Sequence, residues 1–172
     1  MAVTALDSTA KATTANSYGT IVGWTQYETD QFGGFDVEGL SEENQTRSLL
    51  ASTKRLELEF YKGTRTDDTT PQALEWPRAG VLDRHNDEFD NDTVPTTVIE
   101  AQYELATHLA KELCSGAADC DLTALESLKI PDVIDVTFRE GQVDTVTDIP
   151  DTVWLLLRDV LLPQAAVHLV HG

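Results

Sequence analysis

The chain has 172 residues, of which 41% are hydrophobic and 24% are charged. This length and composition fit one globular domain with a sizeable core and exclude an intrinsically disordered chain. No apolar run approaches the roughly 20 residues that span a bilayer, so we expect no membrane partner. Residues 1–10 lack the basic and apolar regions of a signal peptide, so we expect synthesis in the cytoplasm.

The net charge of −18, from 30 acidic and 12 basic residues, is the most informative bulk property. Binding to a nucleic acid backbone draws on clustered Lys and Arg, and no such cluster stands out along this sequence. The richest region, 47–84, carries seven bases against six acids. A surface this negative repels DNA. It fits a wall along which DNA slides without sticking, general solubility, or a saline habitat, and composition leaves all three open.

The N-terminal segment, residues 1–16, is small and polar, and we interpret it as an extended arm. A turn or cap motif follows at 16–19. Apolar residues within 18–27 can supply a first short helix, which two glycines weaken. The stretch 31–39 contains three glycines and predicts a loop.

A long helix is predicted next. Ser41 is typical of an N-cap, and the two glutamates after it lie in the first turn, where the helix dipole favours negative charge. Apolar residues then recur at helical spacing, which predicts an amphipathic helix over 42–61. Gly63 ends it, and 64–70 is a polar loop.

The stretch 71–82, PQALEWPRAGVL, lies between two predicted helices and holds one of three tryptophans. Pro77 fixes its own φ and pushes Trp76 toward an extended conformation. Trp also brings the largest apolar surface of any side chain. We interpret Trp76 and Pro77 as a structural pin that closes the seam where the two helices meet. A binding tryptophan on an exposed loop is the alternative.

The acidic stretch 83–92 lacks the glycine of a calcium-binding loop, so we predict an exposed connection there. Pro95 suits the first turn of the next helix, predicted over 95–114. Alternating apolar and polar residues over 131–139 predict a strand, and 143–146 can pair back on it as a hairpin.

Pro150 opens the last predicted helix, and Pro163 stops it. The segment after Pro163 is apolar, which does not suit a solvated terminus. It either folds back on its own core or docks on another chain. The whole pattern predicts one domain over 1–172 of the α+β class, mostly helical. It is a small helical bundle with one β-hairpin, an extended arm over 1–16 and a tail over 163–172.

Residue patterns that carry chemistry are missing from the sequence. Cys114 and Cys120 form neither a Cys-x-x-Cys pair nor part of a larger metal constellation. No nucleophile motif, phosphate loop or dinucleotide fingerprint occurs. We therefore predict no enzyme activity, no catalytic residue, no metal and no cofactor.

Four stretches occur in an order that is specific when taken together. They are Ala-Asn-Ser-Tyr at 15–18, Phe-Tyr-Lys-Gly-Thr-Arg at 60–65, Gln-Ala-Leu-Glu-Trp-Pro-Arg-Ala-Gly at 72–80, and the helix opening at 94–106. This order resembles a tailed-phage family described as DnaT-like single-stranded-DNA-binding proteins. Its members sit in the head–tail module and resemble head–tail connector, or head-completion, proteins.

The resemblance implies a virion structural protein made in the host cytoplasm. It would form a head-to-tail adaptor ring in the neck, beneath the portal and around the DNA channel. The implied partners are the portal protein, a stopper or tail-side neck protein, and further copies in a dodecameric ring. The ring would enclose double-stranded DNA without sequence-specific binding. On this hypothesis the apolar tail contacts the portal, through Gln164, Ala165, Ala166, Val167, His168, Leu169 and Val170.

The alternative is the family label itself, a single-stranded-DNA-binding protein of phage replication. That mode uses a positive groove with aromatic platforms, and the sequence shows aromatics without a visible positive groove. A third hypothesis is an accessory assembly protein that never enters the particle.

Overall fold

The computed structural model describes residues 3–66, 71–113 and 149–162. This part of the chain folds into four helices and one short antiparallel strand pair, which confirms a mostly helical α+β fold. In chain order the elements are α1 (Ile21–Asp30), α2 (Glu42–Leu56), β1 (Thr64–Arg65), β2 (Arg78–Ala79), α3 (Thr96–Leu113) and α4 (Asp151–Leu157).

Helix α3 is central, since α2 and α4 both pack along it extensively. Its apolar face carries alanines as well as larger residues, and Ala101, Ala106 and Ala110 are fully buried. Small side chains let neighbouring backbones approach closely. The buried residues form two clusters, one containing Trp76 and the other Trp24.

Helix α2 begins as predicted, because the Ser41 side chain accepts a hydrogen bond from the Asn44 backbone N–H at 3.3 Å. It ends at Leu56, whereas the sequence predicted helix up to residue 61. The Tyr61 hydroxyl donates to the Leu56 carbonyl at 2.9 Å and satisfies one of the carbonyls that a helix end leaves open. The chain then leaves the helix and pairs with the segment after α4.

The strand pair lies where the sequence predicted a polar loop and the Trp-Pro stretch. Its register pairs Thr64 with Ala79 and Arg65 with Arg78. The hairpin predicted over 131–146 and the tail over 163–172 lie outside the described residues. In the part of the chain that is described, no helix combines the length and apolarity needed to cross a bilayer.

Candidate nucleic-acid interface

Trp76 lies in the core, with 1% of its surface exposed. The Tyr61 ring meets it edge-on, with centroids 5.6 Å apart, and Phe89 does the same from another side at 6.5 Å. The peptide bond to Pro77 is cis. Trp76 therefore contacts residues on both sides of its own stretch of chain, and it is not available to a ligand.

The arginine of the 72–80 motif is also committed to the fold. Arg78 is buried, and its guanidinium donates to the carbonyls of Lys62 at 2.7 Å and Gly63 at 2.8 Å. Its Nη1 also pairs with the Glu75 carboxylate. The planar Arg78 guanidinium thus fixes the backbone that follows α2. The most specific motif in the sequence is structural, and its cation does not face solvent.

A partly buried carboxylate supports the same region. Glu57 accepts hydrogen bonds from the Tyr18 hydroxyl and from the Glu75 backbone N–H, at 3.0 Å from its Oε2. Burial raises the pKa of Glu57, and these hydrogen bonds act in the opposite direction. Burial likewise raises the pKa of Tyr18, and the nearby Glu57 charge adds to the effect. This network ties the N-terminal arm to the end of α2.

The surface directly after α2 is different in character, because apolar side chains are exposed there. The segments 60–62 and 160–162 pair antiparallel: Lys62 N donates to Val160 O at 2.8 Å, and Leu162 N donates to Phe60 O at 2.9 Å. Side chains alternate along an extended chain, so buried Tyr61 leaves its neighbours on the outer face. Phe60 is 61% exposed. We call exposed Leu58, Phe60 and Leu162 the Phe60 ridge.

Three cations meet around one residue, Asp159, beside the ridge. Lys62 Nζ donates to the Asp159 backbone carbonyl at 2.7 Å. Arg84 Nε lies 3.9 Å from one Asp159 carboxylate oxygen, and Arg158 Nε lies 3.6 Å from the other. The arginine side chains are 63% and 57% exposed, respectively. We call these four residues the Asp159 cation cluster; it carries three positive charges against one negative.

Acids close to this surface in sequence already have partners. Asp83 accepts the backbone N–H groups of His85 at 2.7 Å and Asp87 at 2.9 Å. These bonds, led by the one from Asp87, lower the pKa of Asp83. Burial raises the pKa of Glu59, and the positive charge of Arg55 acts in the opposite direction. The Phe60 ridge and the Asp159 cation cluster place exposed apolar side chains next to three cations on a strongly acidic protein, with Asp83 and Glu59 close by in sequence.

A second exposed aromatic, Phe32, lies in a contrasting setting. It is fully exposed on the loop between α1 and α2, where exposed carboxylates flank it at Asp30, Asp36 and Glu38. This loop precedes α2, whereas the ridge follows it, and the 15 residues of α2 span about 22 Å. Phe32 therefore lies among carboxylates in sequence, whereas Phe60 is followed two residues later by Lys62 of the cation cluster.

Sequence reasoning missed this surface for a physical reason. Its cations come from three segments that are far apart along the chain, at 62, 84 and 158, so no run of bases marks them. Phe60 was placed on the apolar face of a helix that in fact ends before it. The early helix end is the feature that exposes the ring.

Among the described residues, no group of three His, Cys, Asp or Glu side chains is placed to hold a metal.

The profile of a family described as "Putative DnaT-like ssDNA binding protein" matches residues 1–169. The chain belongs to this DnaT-like family. No curated protein and no solved structure matches it. The resemblance carried by the motifs at 15–18, 60–65, 72–80 and 94–106 is thus confirmed at the level of the family.

The prediction of a head-to-tail adaptor is wrong. The description of the DnaT-like family names single-stranded DNA, which is the alternative and not the main interpretation. The adaptor was inferred from the resemblance, and the single-stranded-DNA alternative was placed second because the sequence shows no visible positive groove. The tail residues 164–170, assigned to portal contact, lie outside the described residues. The predicted partners, virion location and lack of enzyme activity remain untested.

Proposed function

We propose that the protein binds single-stranded DNA through the Phe60 ridge and the Asp159 cation cluster. One observation carries the proposal: an exposed aromatic ring lies beside three converging cations. Proteins that hold single strands without strong sequence preference combine a positive surface that follows the backbone with aromatic side chains on which bases stack. The family description supports the same ligand.

The two parts of the surface have separate roles. Stacking of a base on Phe60 supplies about 1–3 kcal/mol by the usual range for such contacts. Arg84 and Arg158 present planar guanidinium groups that match phosphate oxygens. In a duplex the bases are stacked on one another, and their faces are not free for Phe60. The surface therefore favours single strands over double strands.

The overall charge of −18 weakens binding without preventing it. At an ionic strength of 0.1 M, interactions between exposed charges are screened beyond about 10 Å. A phosphate at the cluster therefore responds mainly to Lys62, Arg84, Arg158 and Asp159, and only weakly to acids at the far end of α2. We expect modest affinity that falls moderately as the salt concentration rises.

Fluorescence anisotropy with a labelled oligothymidylate at low salt tests the proposal. Phe60→Ala should weaken binding about tenfold, since stacking on one base is lost. Phe32→Ala is the matched control, because it removes an exposed ring from an acidic loop; it should leave the affinity unchanged. Equal effects of the two substitutions, or no binding by the wild type, would contradict the proposal.

A further inference from the structure

Asp159 stands in an unusual position for a residue on a surface that binds phosphates. Its carboxylate lies between the two exposed arginines, 3.9 Å from Arg84 Nε and 3.6 Å from Arg158 Nε. An incoming phosphate would seek the same two guanidinium groups. The carboxylate and the phosphate are therefore competitors for one pair of donors.

The third cation is held differently. Lys62 Nζ donates to the backbone carbonyl of Asp159 and not to its carboxylate. A change confined to the Asp159 side chain therefore leaves the Lys62 contact in place. It also leaves the pairing of 60–62 with 160–162, because those hydrogen bonds join backbone groups. The carboxylate can be removed without dismantling the surface around it.

We infer that Asp159 limits affinity by acting as an internal competitor for the phosphate of a bound strand. This inference rests on the proposed function and adds a residue that sets the strength of binding. A small anion such as inorganic phosphate gains only the contacts to the cations and has to displace the carboxylate. A strand also gains stacking on Phe60. Both ligands have to displace the carboxylate, so it lowers the affinity for each, and stacking on Phe60 is what favours the strand.

The alternative role for Asp159 is purely structural. Arg84 lies on the loop that follows β2, and the ion pair to Asp159 joins this loop to the end of α4. If holding the loop were the main role, loss of the carboxylate would loosen Arg84 and weaken binding. The two roles therefore predict opposite signs for the same substitution.

Asp159→Asn is the test, measured by anisotropy with an oligothymidylate at low salt, since the amide keeps the shape and removes the charge. We expect binding about fivefold tighter than in the wild type, the scale set by removing one unit charge a few ångströms from a phosphate in a solvated setting. Glu38→Gln is the control. It makes the same change in net charge on an exposed residue before α2, and it should change the affinity much less.

The outcomes separate this inference from the proposed function. Wild-type binding that is unchanged or weakened by Asp159→Asn overturns the inference and leaves the proposed function intact. An equal gain from Glu38→Gln also overturns it, because net charge alone would then explain the effect. No binding by the wild type or by either variant overturns both.

Discussion

At the scale of single residues, Trp76 shows that a side chain in the most specific motif of the sequence can serve the core and not a ligand. Its indole is buried between Tyr61 and Phe89, and its Nε1–H has no hydrogen-bond partner among the described residues. An unpaired buried donor reduces stability, whereas the buried apolar surface of the ring increases it. The indole ring therefore stabilises the fold through the apolar surface that it buries.

Trp76→Ala should lower the free energy of unfolding by about 3–5 kcal/mol, because it leaves a large cavity in the core. Trp76→Phe should cost clearly less, because it keeps an aromatic ring in place and removes the unpaired N–H. Urea denaturation followed by circular dichroism measures both. A loss below about 1 kcal/mol for Trp76→Ala would refute the structural pin.

Glu57 makes stability depend on pH in a direction that its environment fixes. Burial raises its pKa above the ordinary value of 4.5, so the folded state binds the proton more tightly than the unfolded chain does. The stability from this proton is fully present below pH 4.5 and is lost as pH rises through the folded-state pKa.

Glu57→Gln stays neutral at every pH and so lacks this loss. Its free energy of unfolding, relative to wild type, should therefore rise as pH increases above 4.5. Thermal or urea denaturation of both proteins across that range gives the difference. A difference that stays flat, or that falls with increasing pH, would show that burial does not control this carboxyl.

At the scale of elements, one buried side chain on α3 joins three parts of the fold. Gln102 is fully buried; its Oε1 accepts from the Gly19 backbone N–H at 2.7 Å. Its Nε2 donates to Ser17 Oγ at 2.8 Å and to Thr53 Oγ1 at 2.7 Å. The turn at 16–19, α2 and α3 therefore share a single amide, which holds the chain just after the polar arm against both helices.

Gln102→Ala should destabilise the protein by about 3 kcal/mol, because it leaves buried polar groups unpaired and opens a cavity. Gln26→Ala is the matched control: Gln26 is exposed and bonds only Asp30 on its own helix, at 2.9 Å. It should cost less than about 0.5 kcal/mol. Similar losses for the two variants, measured by urea denaturation, would mean that Gln102 does not hold the elements together.

The sequence predicted elements well where local patterns decide them and poorly where distant contacts do. The start of α2 follows from the Ser41 cap, and the start of α3 follows from Pro95. The end of α2 does not follow from the local sequence, because residues 60–62 pair with a segment about a hundred residues away. The candidate site depends on that same pairing, so periodicity along the chain could not reveal Phe60 as exposed.

At the scale of the whole molecule, the basic residues are not spread evenly among the acidic ones. The chain has a net charge of −18, yet Lys62, Arg84 and Arg158 meet on one surface around Asp159. A count of charges along the sequence averages this contrast away. The arginines that end the motif at 60–65 and lie within the motif at 72–80, Arg65 and Arg78, contact Glu75 and hold the fold.

Because three cations form the surface, binding should depend on salt only moderately. The logarithm of the association constant, plotted against the logarithm of salt concentration, should have a slope no steeper than about −2, at roughly 0.7 per phosphate neutralised on a single strand. Anisotropy titrations at several salt concentrations measure it. A slope near about −5 would require several further cations and would place the main contact elsewhere.

The most direct test is to locate the bound strand by ultraviolet cross-linking to an oligothymidylate, followed by mass spectrometry of the digested protein. The account predicts cross-links at Phe60 and in the segments around it, 58–62 and 158–162, and their loss in Phe60→Ala. Cross-links confined to the loop 31–38 or to residues 114–148, with none near Phe60, would contradict it.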